Sequence, residues 1–205
     1  MIDFDFDKKF SKPVIGIDEV GRGSWAGPVM SGAVLLDYEK PLHKKLNDSK
    51  KIPSKMRYEV FDHLKKNAIY GIGEASNNEI DNYGIMRASF ISMERALKEL
   101  IDKSSKIKIS TLLIDGIHIP DFQNTYGADI KLIKKGDTFS PSIAAASVIA
   151  KCTRDLLMIK MDKVYRGYEL CTNMGYGTNS HRKKLLISGP TQFHRMTFAP
   201  MKNIN

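Results

Sequence analysis

The chain has 205 residues, 42% of them hydrophobic, which suits one large domain with a substantial core and excludes an intrinsically disordered protein. A net charge of +9 favours polyanionic partners such as nucleic acid or an anionic membrane surface. Cys152 and Cys171 form no CxxC, which argues against a disulfide framework and for a reducing, cytoplasmic setting. The opening MIDFDFDKKF is acidic and lacks a long apolar region, so no signal peptide is expected. The longest run of apolar and small residues, 142–150, is too short to span a bilayer.

Asp3, Asp5 and Asp7 alternate like the start of a calcium loop, but the sixth position is Lys8 and the twelfth Val14, so a solvated arm or edge strand is expected. Residues 13–18 read as a buried strand that ends at two adjacent carboxylates, Asp18 and Glu19. Gly21, Arg22, Gly23 and Gly27 follow. Residues 28–36 form a second strand, and the tight glycine turn between the two predicts an antiparallel pair. LNDSKKIP, 46–53, has loop chemistry. In 54–66, Met56, Val60, Phe61 and Leu64 recur at helical spacing. A strand is expected over 68–75 and a longer helix over 84–103, with Ile85, Phe90, Met93, Leu97, Leu100 and Ile101 on one broad face.

KISTLLID, 108–115, is a strand that also closes on a carboxylate and a glycine. A short strand, 129–133, runs into Lys134, Lys135, Gly136 and Asp137. The helix predicted over 140–160 starts with Ser140 as N-cap and Pro141 at its first position. Its small residues, Ala144, Ala145, Ala146, Ser147 and Ala150, suit a close approach to a sheet. After Tyr165, glycine, tyrosine, histidine and basic residues dominate, and a smaller helical lobe is expected with a helix near 180–187. The order of elements predicts an α/β fold with a mixed β-sheet flanked by helices.

Four acids are set apart from exposed turn residues such as Asp62, Asp81, Asp121 and Asp129. They are Asp18, Glu19, Asp115 and Asp137. If the first strand neighbours KISTLLID, Asp18 and Asp115 meet. Side chains alternate along a strand, so Glu19 joins Asp18 only if the chain bends there. Carboxylates crowded together repel one another, and divalent cations relieve the conflict. All-oxygen ligands favour Mg or Mn. Two such ions about 4 Å apart can activate water and stabilise the leaving oxygen of a phosphodiester. No P-loop, HExxH, dinucleotide fingerprint or zinc spacing is present. His181 and His194 lie in the basic C-terminal part, where assistance to phosphate or proton transfer competes with a solvated role.

The motifs GIDEVGRG followed by AGPV, then LNDSKK, LIDG, KGD, SIAAASVIAKCTRD, GYGT and HRMTFAP occur in order over nearly the whole chain. In these it resembles the type 2 ribonuclease H family, in its ribonuclease HII form. The resemblance implies a ribonuclease H-like mixed sheet flanked by helices, with 1–164 as catalytic core and 165–205 as a C-terminal helical extension contributing to substrate binding. It implies a metal-dependent endonuclease that cuts the RNA strand of RNA–DNA hybrids. It also implies nicking 5′ to single ribonucleotides in duplex DNA, which leaves 3′-hydroxyl and 5′-phosphate ends and serves ribonucleotide removal from DNA. The family's acidic tetrad falls on Asp18, Glu19, Asp115 and Asp137, with Mg or Mn as cofactor. Its ribonucleotide-reading loop falls on Gly21, Arg22 and Gly23, and its junction tyrosine on Tyr176. Lys50 and Lys51 become candidates for the substrate backbone.

A 2′-hydroxyl both donates and accepts, and a glycine loop can bring backbone groups up to it. Ser24 and Trp25 stand where the family usually has Pro and a small apolar residue, and TFAP where SFGP is expected. The extra N-terminal domain of the HIII branch has no room before a strand that begins near residue 13. A non-catalytic binding module would have lost acids, and a carboxylate-pair glycosidase explains neither the basic charge nor Arg22. No membrane association and no obligate protein partner are expected.

Overall fold

The computed structural model describes residues 2–104 and 107–203. The β-branched and apolar runs form five strands: β1 (Val14–Val20), β2 (Val29–Leu36), β3 (Ala68–Ala75), β4 (Thr111–Asp115) and β5 (Asp129–Ile133). They lie side by side in the order β3-β2-β1-β4-β5. β1 pairs antiparallel with β2, as the glycine turn predicts, and β2 antiparallel with β3. β1–β4 and β4–β5 are parallel, and Ile17 stands opposite Ile114. The sheet is therefore mixed, with β1 at its centre where the direction of pairing changes.

Period-2 alternation divides the central strand between two cores. Ile15 and Ile17, with Ala33, pack on Met93, Ala96, Leu97 and Leu100 of α2 (Asn77–Lys103). The opposite face carries α1 (Ser54–Asn67) and α3 (Pro141–Asp162), packed together through Val60, Phe61, Leu64 and the small residues Ala144 to Ala146. α3 can lie this close because Gly16 and Gly32 face it. A Cβ on Gly16 would sit 2.2 Å from the Ser142 carbonyl carbon, and one on Gly32 would sit 2.6 Å from the Ala146 carbonyl oxygen.

α2 begins at Asn77, seven residues before the predicted start at Gly84. Gly84 is a non-helical break at φ +78°, so periodicity finds the second piece only. The first piece starts in a capping box between Ser76 and Glu79. α3 has the expected N-cap: the Ser140 hydroxyl accepts from the Ile143 amide. α4 (Leu170–Asn173) and α5 (Asn179–Ser188) follow, α5 with Thr178 as N-cap. Residues beyond 165 share an apolar cluster of Tyr168, Leu170, Leu185 and Met201 with Met158 of α3 and Ala26 of the β1–β2 turn.

Two expectations fail. The N-terminal segment is not a solvated arm. Asp7 is fully buried and accepts from the Ser140 hydroxyl (2.6 Å), the Ser142 amide (2.9 Å) and the Tyr38 hydroxyl (2.5 Å), which pins residues 2–10 to the start of α3. Asp81 is no idle turn residue either. It accepts from the Met196 and Thr197 amides and the Thr197 hydroxyl, bridging α2 to the C-terminal segment. Neither contact leaves a periodic signal, because Ser140 and Ser142 for Asp7, and Met196 and Thr197 for Asp81, lie over a hundred positions away.

Candidate active site

The sheet's register brings the first two acids together. Leu113 packs with Ile143 of α3, so Asp115, two residues on, projects toward the α3 face. Gly16 faces α3, so Asp18 projects there too, beside Asp115 because β1 and β4 are parallel neighbours. β5 delivers the third. After Ile133, Lys135 takes a left-handed conformation (φ +58°), and the chain turns into a short 3-10 helix carrying Asp137. The Gly136 amide donates to Asp115 Oδ1 at 2.7 Å and clamps this turn onto β4. Asp18, Asp115 and Asp137 each present an oxygen within 4.8 Å of the others.

Glu19 does not join this group. β1 continues regularly through Val20, with no bend between the two acids. Glu19 takes the alternate direction and accepts from Arg22 Nη1 at 3.2 Å. Its charge is still felt by Asp18.

The electrostatics are those of carboxylates buried and crowded together. Burial, then the charges of Glu19 and Asp115, push the Asp18 carboxyl well above the usual carboxylate range, against a hydrogen bond from Ser147. Burial raises Glu19 against the pull of Arg22, and raises Asp115 against the Gly136 amide. Asp137 is pushed up to about 6 by burial and by the charges of Asp48 and Asp115. A cluster of oxygen donors whose carboxyls are raised by burial and by one another fits a hard divalent cation.

The LNDSKK loop closes the site from the side. Burial works to lower the Lys50 amine, but Asp18, Asp137 and Asp48 outweigh it and hold its pKa above the ordinary value. Lys51 points elsewhere, exposed and 3.8 Å from Asp48. Two contributors escape a sequence reading that looked for acids at strand ends. Asp48 sits in a loop, and its oxygens accept from the Lys50 amide while its charge acts on Asp115 and Asp137. Ser147 lies on α3 and shares a 2.8 Å hydrogen bond with Ser49, so the loop is joined to Asp18 through two hydroxyls. Both lie inside motifs that carried the resemblance, which was the only signal for them.

The loop Gly21–Arg22–Gly23 lies next to the acids. Gly21 has φ +90° and leaves no room for a Cβ, which would meet Arg154 Nε at 2.3 Å. Two fully buried arginines hold this loop from beneath. Arg195 donates to the carbonyls of Gly27 (2.9 Å), Arg22 (2.8 Å) and Gly21 (2.7 Å). Arg154 donates to the carbonyls of Pro28, Met174 and Ala26 and to the Ser24 hydroxyl, which in turn donates to the Gly21 carbonyl. Ser24 thus has a defined role in this chain. Tyr176 is partly exposed at 39%. Its ring edge would be 3.9 Å from a Cβ on Gly23, which places it against the loop. Trp25 packs over Gly177 and donates its amide to the Gly175 carbonyl at 2.7 Å, so both glycines flanking Tyr176 are fitted to the β1–β2 turn.

A mixed α/β sheet with carboxylates gathered at the carboxyl ends of its parallel strands β1, β4 and β5 defines a hydrolase site suited to a divalent cation. The chain belongs to the ribonuclease HII family, whose members are endoribonucleases: the Ribonuclease HII family model matches residues 15–201. It is 43% identical over 194 residues to a ribonuclease HII of Pelagibacter ubique, covering 94% of this chain and 99% of that protein. It is 42% identical over 200 residues to one of Zymomonas mobilis, covering 98% and 90%. Among solved structures, the ribonuclease HII of Archaeoglobus fulgidus, in a complex with PCNA, shares the fold at a TM-score of 0.74 and 23% identity, over 90% of this chain and 94% of that one. A ribonuclease HIII (Bst-RNase HIII) solved with Mn2+ does so at 0.73 and 19%, over 92% and 68%. No helix among the described residues is long and apolar enough to cross a membrane.

Proposed function

We propose that this protein hydrolyses the RNA strand of RNA–DNA hybrids and nicks duplex DNA 5′ to single ribonucleotides, a first step in clearing ribonucleotides from DNA in the cytoplasm. The observation that carries this reading is the adjacency of two features. Three carboxylates converge within 4.8 Å of one another, and a glycine loop backed by two arginines stands beside them with Tyr176 against it. Asp18, Asp115 and Asp137 would hold Mg or Mn, with two ions in the active complex, and Glu19, paired with Arg22, adds its negative charge to the set without being a ligand. Bound there, the ions supply activation of water and charge neutralisation at the scissile phosphate.

The chain's own residues do the rest. Arg154 and Arg195 engage the inner carbonyls of residues 21–28, so the loop's outer backbone groups stay free for a 2′-hydroxyl. Tyr176 packs against the neighbouring sugar and favours a deoxyribose, which carries less bulk. Lys50, and further out Lys51, hold phosphates without reading sequence. A water oxygen bonds to phosphorus, the bond to the upstream 3′ oxygen breaks, and that oxygen leaves protonated. The ends are a 3′-hydroxyl and a 5′-phosphate on the ribonucleotide.

The test is a duplex with one ribonucleotide, incubated with Mg or Mn and either wild type or Asp115→Asn. Nicking by wild type alone is expected. No nicking by wild type in either metal overturns the activity, and equal nicking by both proteins overturns the site.

A further inference from the structure

His181 and His194, singled out in the sequence and unused above, are buried and lie with their Nε2 atoms 3.0 Å apart. The groups at either end of the pair define where its protons are. The Thr191 amide can only donate, and it donates to His194 Nδ1 at 3.0 Å. His194 therefore carries its proton on Nε2 and donates it to His181 Nε2. His181 is left with its proton on Nδ1, which faces the Tyr176 carbonyl at 3.0 Å, a group that can only accept. Both ends demand the same arrangement, in which each ring is neutral. A third proton would leave two donors facing each other across the shared bond.

This one-directional chain spans the two parts of the reading apparatus. At its start, His194 is bridged by backbone pairing to Ala26 in the β1–β2 turn, and the Arg195 amide donates to the Trp25 carbonyl. At its end is the backbone of Tyr176, whose ring abuts Gly23. The His181 ring is enclosed by Trp25 at 5.4 Å and Tyr168 at 5.9 Å, which fixes its orientation. We infer that His181 and His194 are positioning residues that hold Tyr176 against the Gly21–Gly23 loop, and so set the preference between single ribonucleotides and RNA tracts. The link to preference rests on the reading of Tyr176 proposed above; the link to its placement does not.

The direction of the chain makes a crossed prediction. An asparagine amide stands near the Nδ1 position of a histidine and a glutamine amide near Nε2. At 181 the donor toward Tyr176 is what matters, so His181→Asn is tolerated and His181→Gln is not. At 194 the donor toward His181 matters, so the order reverses, with His194→Gln tolerated and His194→Asn not. Two readouts are taken on each folded variant and on Tyr176→Ala: amide hydrogen exchange at Tyr176 and Thr178, and the ratio of kcat/KM on a single-ribonucleotide duplex to that on an RNA-tract hybrid.

The disfavoured variants are expected to exchange roughly five- to tenfold faster, which is the loss of about one hydrogen bond. They should also shift the ratio in the direction of Tyr176→Ala. If one site tolerates neither substitution, the order at the other decides. The same order at both sites, or exchange equal to wild type in all four variants, overturns the inference, because a merely space-filling pair gives that result. Faster exchange with an unmoved ratio overturns the link to preference if Tyr176→Ala moves the ratio. If Tyr176→Ala leaves the ratio unchanged, the junction role of Tyr176 falls, while the exchange pattern still decides the placement.

Discussion

The amide of Gly136 donates to the carboxylate of Asp115 across 2.7 Å, so the strand that carries one acid grips the turn that carries another. The chain itself thereby holds the two acids side by side, like charges kept together at a cost. Without metal, Asp137→Asn should relieve that repulsion and raise Tm by about 2–4 °C, the equivalent of roughly 1 kcal/mol at this chain length. The same variant should lose most of the Tm gain that wild type shows on adding Mg, and lose at least about 100-fold in activity. Scanning calorimetry with EDTA and with Mg, beside the nicking assay, checks all three.

The raised Asp137 carboxyl also sets a pH dependence. Its folded pKa of about 6 exceeds the ordinary value of 3.8, so the folded state binds more protons in that window. Metal-free wild type should therefore lose stability from this group as pH rises from about 4 through 6. Metal, which needs the ionised form, should stabilise it more at pH 7.5 than at 5.5. Equal Mg-dependent shifts at the two pH values would contradict this.

Arg195 donates to three carbonyls of the turn after β1 and is fully buried. Burial and the neighbouring Arg154 push its pKa down to about 9, so it stays cationic at neutral pH. Arg195→Met fills the space but leaves the Arg22 and Gly27 carbonyls without their donor, while Gly21 keeps the Ser24 hydroxyl. It should cost about 3–5 kcal/mol, or about 8–15 °C in Tm. Denaturant or thermal unfolding measures this; a cost below about 1 kcal/mol would mean that the loop is satisfied without the guanidinium.

Gly16→Ala tests the close approach of α3. The added methyl would meet backbone at 2.2 Å, with no flexible side chain to yield. Overpacking of this kind should cost about 3 kcal/mol or more. It should also shift Ser147 away from Asp18, weakening the stabilisation by Mg beyond the general loss in Tm.

The buried histidine pair predicts acid sensitivity. Burial, then the neighbouring His181, push His194 down to about 4, and burial also lowers His181. The unfolded state therefore binds more protons between about pH 4 and 6.5. The stability from His194 is fully present above that window and is lost as pH falls through it, about 2 kcal/mol at pH 5. His194→Gln should lose less stability than wild type between pH 7.5 and 5. The comparison of variant with wild type cancels the opposite contribution of the active-site acids.

Trp25 is the sole tryptophan, and a methyl on Gly177 would overlap its ring at 2.1 Å. Gly177→Ala should shift the intrinsic emission to longer wavelength and change the single-ribonucleotide to RNA-tract ratio, with hybrid cleavage retained. An unchanged spectrum would show that the ring does not rest on Gly177.

The sequence alone determined the strands and the acids that end them. β-branched runs cut short by carboxylates and glycines are local signals, and β1, β3, β5 and the capped start of α3 were legible from spacing and turn chemistry. The ordered motifs carry the family resemblance without any geometry. Tertiary structure decided which acids meet. Strand alternation sends Asp18 and Glu19 apart, and only the parallel pairing of β1 with β4 sets Asp18 beside Asp115. It also decided the burial of Asp7, Arg154, His181, His194 and Arg195, polar side chains that periodicity assigns to solvent. Asp7, Arg154 and Arg195 are kept inside by partners far along the chain, and hydrogen bonds between distant segments leave no trace in local sequence; the two histidines are kept inside by each other and by Tyr176 and Thr191. The glycine loop after β1 was visible as a run of letters. That it is held from beneath by two arginines and faced by Tyr176 is a property of the folded chain, because those residues come from α3 and from the C-terminal segment.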